Sequence, residues 1–383
     1  MKHHGPFVYG SLAENEHFTN RTKETDELIT NLTNGIHTFL ISPRRWGKSS
    51  LVKAVARKMT RQNKNVRFCF VDLFNTRNEY EFYKLLAEQV VKSVETNMEG
   101  RLSVIKNYFR GLIPAISFSP DTLQEFSLSF SVKELEKSPD EILQLAEVVA
   151  KQRKLHLVVC IDEFQNIGHF ENALAFQKKL RSHWQSHHHV TYCLYGSKKH
   201  MLLEIFGSVK MPFYRFGNFM FLEKIATEHW VKYITERFEK TGKRIAPALA
   251  EQIALTVENH PYYVQQYAQT VWDICGKTAH EAHLTLALNR ILTTMNILFM
   301  RETEWLSNSQ INFLKAVCSG AENISSQKVI QEFNLGSSAN VVKIKKALID
   351  KEVIDIFNGK PDFLDPMYKK WFWQVYMQKK NFM

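Results

Sequence analysis

Ile36-His37-Thr38-Phe39-Leu40-Ile41-Ser42-Pro43-Arg44-Arg45-Trp46-Gly47-Lys48-Ser49-Ser50 is the stretch that decides the fold. Residues 36–42 are mostly apolar and stop at Pro43, as a short buried strand would, and helical periodicity runs from Lys48 to about Gln62. The turn between them fits GxxxxGK[ST], with Ser42 in place of the first glycine. A strand–loop–helix of this kind is a phosphate cradle, because backbone N–H groups and the positive end of the helix dipole converge on an anion. Gly47 lets the backbone approach the phosphates closely. Lys48 is expected to reach the β- and γ-phosphates, and the Ser49 hydroxyl to ligate Mg²⁺. The expected nucleotide-binding loop is thus Ser42, Pro43, Arg44, Arg45, Trp46, Gly47, Lys48, Ser49 and Ser50.

A second element completes the chemistry. Leu157-Val158-Val159-Cys160-Ile161 is the most apolar run of the chain, and it ends in Asp162-Glu163-Phe164-Gln165. Two acids at the end of a buried strand are costly unless they face a site at the carboxyl edge of the sheet. Asp162 is expected to hold the Mg²⁺ shell. Glu163 is placed to act as general base on the attacking water. Lys48 and Glu163 are therefore the candidate catalytic residues.

Outward from these motifs, strands alternate with helices. Strands are expected at 66–73, 155–161, 190–196 and near 215–222, with helices at 79–111, 139–153, 171–184 and 198–206. That alternation predicts a parallel sheet covered on both faces. Two alternating runs within 116–130 predict a β-hairpin with one apolar face. After about residue 224 only helices are expected, at 225–240, 246–258, 261–275 and 280–300. Helices near 309–318, 325–333 and 338–351 then lead to two apolar runs separated by Asn358-Gly359, a strong hairpin signal and the pattern of a winged helix. The predicted fold class is α/β: a P-loop NTPase core over 1–223, an α-helical lid over 224–300 and a winged-helix domain over 301–383.

Composition narrows the setting. Of 383 residues, 44% are hydrophobic and only 10 are proline, which excludes a disordered or fibrous chain. The longest apolar run is too short to cross a bilayer, and the N-terminus lacks the apolar region of a secretory signal. Five scattered cysteines, never spaced CxxC, argue against a disulfide framework or a Cys-rich zinc site and fit a cytoplasmic location. The net charge of +11 favours polyanionic partners without choosing between nucleotide and nucleic acid. His183, His187, His188 and His189 crowd one stretch, but adjacent histidines cannot all turn to one metal.

Further motifs carry a resemblance. Phe18-Thr19-Asn20-Arg21-Thr22-Lys23-Glu24 precedes the loop, Tyr195-Gly196-Ser197 with Met201 follows the acid strand, His260-Pro261-Tyr262-Tyr263-Val264-Gln265 lies in the expected lid, and Asp365-Pro366 with Trp371 closes the chain. With the loop and the Asp-Glu-Phe-Gln stretch, their order resembles the archaeal-type ATPases of the STAND and AAA+ group across roughly 7–371. The resemblance implies ATP/ADP as ligand with Mg²⁺, and Arg21 against base and ribose. It also implies Ser197 as the γ-phosphate sensor and Pro261 touching adenine from the lid. Asn259 stands where the family usually has glycine. Arg44 and Arg45 either read the nucleotide state or solvate the loop, and Arg215 is either an arginine finger or an ordinary surface arginine.

Three functional readings follow. The first is a slow ATP-driven switch that couples nucleotide state to lid and winged-helix movement and oligomerises on ATP binding. The second is an ATP-regulated DNA-binding protein, similar to origin-recognition proteins, contacting duplex DNA through Lys343, Lys345 and Lys346. The third is an interaction module that holds nucleotide and meets a protein partner through the winged helix or the 115–130 hairpin. No membrane partner is expected.

Overall fold

A computed structural model describes residues 5–13, 18–95, 97–108, 115–118, 126–129, 139–357 and 359–377. The chain divides into two compact units, Arg21–Glu223 and, taken together, Met1–Asn20 with Lys224–Met383. The first is an α/β unit built on five strands: β1 (Thr38–Ile41), β2 (Val66–Asp72), β5 (His156–Asp162), β6 (Val190–Gly196) and β7 (Asn218–Phe221). Their order across the sheet is β2-β5-β6-β1-β7, and every pairing is parallel. Parallel strands need helical crossovers, and the helices Lys48–Gln62, Glu79–Val94, Pro139–Arg153 and Ala173–Trp184 supply them.

The register of β6 fixes the site. It pairs β1 through Ile41↔Gly196 and β5 through Ile161↔Leu194, so Ser42, Asp162 and Ser197 leave the sheet side by side at its carboxyl edge. Residues of β6 are buried along its whole length, as expected of a central strand covered on both faces. Two further strands, β3 (Ala115–Phe118) and β4 (Phe126–Ser129), pair antiparallel as the expected hairpin; its turn lies outside the described residues.

The second unit is helical. Thr227–Lys240, Pro247–Thr256, Pro261–Ile274 and Glu281–Glu304 come first. Asn308–Cys318, Gln327–Glu332 and Ser338–Asp350 follow, then the antiparallel pair β8 (Ile354–Phe357) and β9 (Lys360–Phe363) and a last helix, Pro366–Tyr376. Asn358 of the expected turn lies outside the described residues. One core runs through all of these, from Ile225 to Phe372. Phe7 joins it against Tyr233 and Phe238, each ring 5.9 Å away, and the Phe7 and Val8 amides donate to Gln269 and Gln265 at 3.1 Å. Phe7 and Val8 thus pack with the helical unit, whereas the expected P-loop core ran from residue 1. The helix Glu281–Glu304 runs through residue 300, so the expected border between lid and winged helix falls inside one rigid element. Among the described residues no helix is long and apolar enough to cross a membrane.

Three histidines of the His-rich stretch bond to side chains of the α/β unit. His187 pairs with the Tyr192 hydroxyl at 2.8 Å, His189 with Glu147 at 2.7 Å, and His183 with Gln144 at 3.0 Å and Asp140 at 3.1 Å. His37 accepts the Tyr192 amide at 3.1 Å and stacks on Phe216. Burial pushes His37 and His187 down to about 4, helped at His37 by the nearby Arg181 charge and opposed at His187 by Glu147. A histidine depressed by folding leaves stability intact above its unfolded value of roughly 6.5 and withdraws it as pH falls towards the folded value. The unfolding free energy from urea melts is therefore expected to be flat above neutrality and to fall between about pH 6.5 and 4, by about 1.4 kcal/mol per pH unit per histidine. Replacing both with glutamine would flatten that limb, and an unchanged acid limb in the double variant would contradict the assignment.

Candidate functional site

The loop after β1 is shaped by backbone constraints before any side chain acts. Gly47 lies in the left-handed region at φ 94 and caps the helix Lys48–Gln62, and a Cβ built there would meet only open space. That is the shape of a cradle whose floor is backbone. Arg45, also left-handed at φ 63, turns the loop back on itself. Lys48 is buried at 7% exposure, with its ammonium donating to the Ser42 carbonyl at 2.8 Å and the Pro43 carbonyl at 3.0 Å. An ammonium held over the loop by neutral carbonyls is well placed to meet a phosphate.

Arg21 supports the loop from behind. Its guanidinium is buried and donates to Glu24 at 2.6 Å, to the Glu223 carbonyl at 2.7 Å and to the Trp46 carbonyl at 3.3 Å. The motif before the loop therefore clamps the entry helix Thr22–Thr33, the end of the α/β unit and the phosphate loop together.

Across the sheet edge, the Ser49 hydroxyl donates to Asp162 Oδ2 at 2.9 Å. Burial pushes the Asp162 carboxyl up to about 6, with the Glu163 charge adding to it; the Ser49 hydroxyl, the Glu163 amide and Lys48 oppose. A hydroxyl beside a desolvated carboxylate is a hard, all-oxygen donor pair of the kind Mg²⁺ takes, and a cation there would relieve the cost of that buried charge. The residues present fit the metal.

Glu163 lies at φ 51, left-handed although not glycine, and this turns its side chain towards the mouth of β6. There the Ser197 hydroxyl donates to Glu163 Oε2 at 3.3 Å, and the Arg44 Nε donates to the Ser197 hydroxyl at 3.4 Å. A pocket of about 430 Å³ opens beside this carboxylate, lined by Arg44, Arg77, Lys198, Gln165 and Asn166 among others. The chain thus brings Ser42, Arg44, Lys48, Ser49, Asp162, Glu163 and Ser197 to one edge. Pro261 opens a helix of the second unit, and Asn259 takes the expected glycine place at φ 58, a conformation asparagine tolerates. Arg215 is exposed on the turn before β7 and lies over the Tyr214 ring at 5.3 Å. Gln165 and Gly196 lie within the sequence motifs, which by themselves assign them no role. The Gln165 amide donates to Glu163 Oε2, and its position two residues after the glutamate was the available signal.

Comparison with known proteins points the same way. A family model described as an ATPase domain predominantly from Archaea matches residues 18–266, and one for a probable winged helix domain matches 297–374. No curated protein matches the chain in sequence. Among solved structures, a Walker-type ATPase of Pyrococcus abyssi superposes with a TM-score of 0.69 at 16% identity, covering 96% of this chain and 99% of that one. The Aeropyrum pernix ORC2 protein, solved with ADPNP and ADP, superposes with a TM-score of 0.59 at 14% identity, over 99% of both chains. The ORC1 protein of the same organism, solved with DNA, gives 0.51 at 10% identity over 94% of each. Lys48→Ala is expected to weaken ATP binding by at least about thirtyfold, the loss typical of deleting one member of a buried charge contact. Titration of a fluorescent ATP analogue checks it, and unchanged affinity would contradict the cradle.

Proposed function

Because this chain belongs to the ATPase family found predominantly in Archaea, we propose that it is a slow Mg²⁺-dependent ATPase acting as a molecular switch. The observation that carries this reading is the convergence of three strand ends. Ser49 meets Asp162 at 2.9 Å, and Ser197 meets Glu163 at 3.3 Å, across the edge of one sheet. The loop amides and Lys48 would bind the phosphates, while Ser49 and Asp162 would hold Mg²⁺. Mg²⁺, when bound, supplies positive charge against the phosphate oxygens. Glu163 would take the proton of a water attacking the γ-phosphorus as the bond from phosphorus to the ADP oxygen breaks. Ser197 would sense the γ-phosphate, and Pro261 would touch adenine; Arg21, its guanidinium engaged in the clamp, would lie against the base and ribose through the segment it anchors.

The output side of the switch rests on contacts inside the second unit. The Tyr263 hydroxyl donates to Asp365, whose other oxygen caps the last helix through the Met367 and Tyr368 amides at 2.8 and 3.0 Å. Lys369 bridges Glu258 at 3.0 Å and Asp362 at 2.8 Å. Lid residues 224–300 and winged-helix residues 301–383 are tied by these bonds, so a lid movement would carry the winged helix with it. Glu163→Gln is expected to bind ATP and retain it unhydrolysed. Rapid filtration with labelled ATP measures this, and wild-type turnover in that variant would contradict the role of Glu163.

A second reading, duplex DNA binding under ATP control, is favoured by one feature. Lys343 and Lys346 are exposed and Lys345 half-buried on Ser338–Asp350, the third helix of the winged helix and the one that enters the major groove in relatives of this shape. The Aeropyrum pernix ORC1 neighbour is described in complex with DNA. This reading predicts duplex affinity that falls steeply with salt, and neutralising the three lysines should reduce the slope of log affinity against log salt by about three. Binding that is insensitive to both salt and these lysines would leave a protein partner as the output.

A further inference from the structure

We propose that Gln165 is a positioning residue for the Glu163 carboxylate, seated in a slot that exists because residue 196 is glycine. The inference rests on the reading of Glu163 as the group that activates water. Gln165 follows the acid strand on the short 3₁₀ helix Phe164–His169 and is 1% exposed. Its amide nitrogen donates to Glu163 Oε2, the same oxygen that receives the Ser197 hydroxyl at 3.3 Å. Two donors from two different elements thus hold one oxygen. The carboxylate cannot rotate without losing both, and Oε1 is the oxygen left to take a proton.

The rest of the side chain is arranged at a cost to stability. Gln165 Oε1 is buried without a hydrogen-bond partner among the described residues. An orphaned buried carbonyl is unfavourable. Turning the amide over would not cure it, because the carbonyl would then face the Glu163 carboxylate. An apolar side chain of the same length would fill the space without the penalty, so packing does not explain a glutamine here. Gly196 points the same way. A Cβ built on it would stand 1.9 Å from Gln165 Oε1 and 3.0 Å from its carbonyl carbon. The φ of Gly196 is not in the left-handed region, so its backbone does not demand glycine; the Gln165 side chain does. With Glu163 itself held at φ 51, three local costs are concentrated on the orientation of one carboxylate. Such concentration is the mark of a group placed for function.

The test is made on the intact chain. Gln165→Met keeps length and volume but removes the hydrogen bond. It is expected to lower kcat by about tenfold to hundredfold, a part of the roughly hundredfold to ten-thousandfold that a general base supplies, while ATP affinity stays within about twofold. Its melting temperature should be equal to or above that of the wild type, because the orphaned carbonyl is gone. Gly196→Ala should reproduce the loss of kcat by evicting Gln165, and adding it to Gln165→Met should cost little more. Gln165→Glu supplies a distinct signature. At high pH two carboxylates would repel, whereas in acid the new group, once protonated, would donate to Glu163 again, so activity should recover as pH falls. A Gln165→Met enzyme with wild-type kcat, beside an inactive Glu163→Gln control, would overturn the inference and leave the role of Glu163 intact. Loss of melting temperature and ATP affinity together with kcat, or a Gln165→Glu pH profile that is only scaled down, would show a merely structural residue and overturn it too. Normal turnover in Glu163→Gln would remove the reading on which it rests.

Discussion

Everything at the site depends on the register of β6. That strand stands between β1 and β5 and pairs in parallel with both, so three loops far apart in sequence leave the sheet at one level. The contact between Ser49 and Asp162, 2.9 Å long, joins residues 113 positions apart. Slipping β6 by one residue would turn its side chains to the opposite face and carry Ser197 away from Glu163. The burial of β6 on both sides makes such a slip expensive, so the hydrophobic core and the chemistry specify the same register.

The motifs at the two ends of the helical unit prove to be one device. His260-Pro261-Tyr262-Tyr263 and Asp365-Pro366 lie about a hundred residues apart, and the Tyr263 hydroxyl joins them by donating to Asp365. Glu258, beside the left-handed Asn259, joins the same cluster through Lys369. Burial raises the cost of the Glu258 charge, yet Lys369 and Lys224 hold its carboxyl below the ordinary range, and Lys369 is correspondingly held above its own. A turn whose left-handed residues are bonded to the last helix ties the two ends of the helical unit together.

Much of this was legible in the sequence because the decisive elements are apolar runs ended by chemistry. The strand before Pro43, the run ending in Asp162-Glu163 and the fully buried 190–196 could be read from composition alone. Other elements were not legible, for identifiable reasons. The helix Thr22–Thr33 buries only Leu28, Asn31 and Leu32, so its apolar stripe is too thin to register, and Arg21 holds it by polar bonds instead. The strand expected from 215 begins at Asn218 because Arg215 turns left-handed at φ 56. The helix 79–111 breaks after Val94 and resumes at Met98. Gln165 and Gly196 escaped because their meaning lies in a contact between two strand ends, which spacing along one chain does not reveal.

The measurement that bears most directly on this account is the steady-state Mg²⁺-ATPase rate of the intact chain, with Lys48→Ala as the control for contaminating activity. Slow turnover that requires Mg²⁺ and vanishes in the control is the expected result. Nucleotide held tightly with no turnover under any of these conditions would contradict it, and would make the assembled edge of Ser49, Asp162, Glu163 and Ser197 a holding site only.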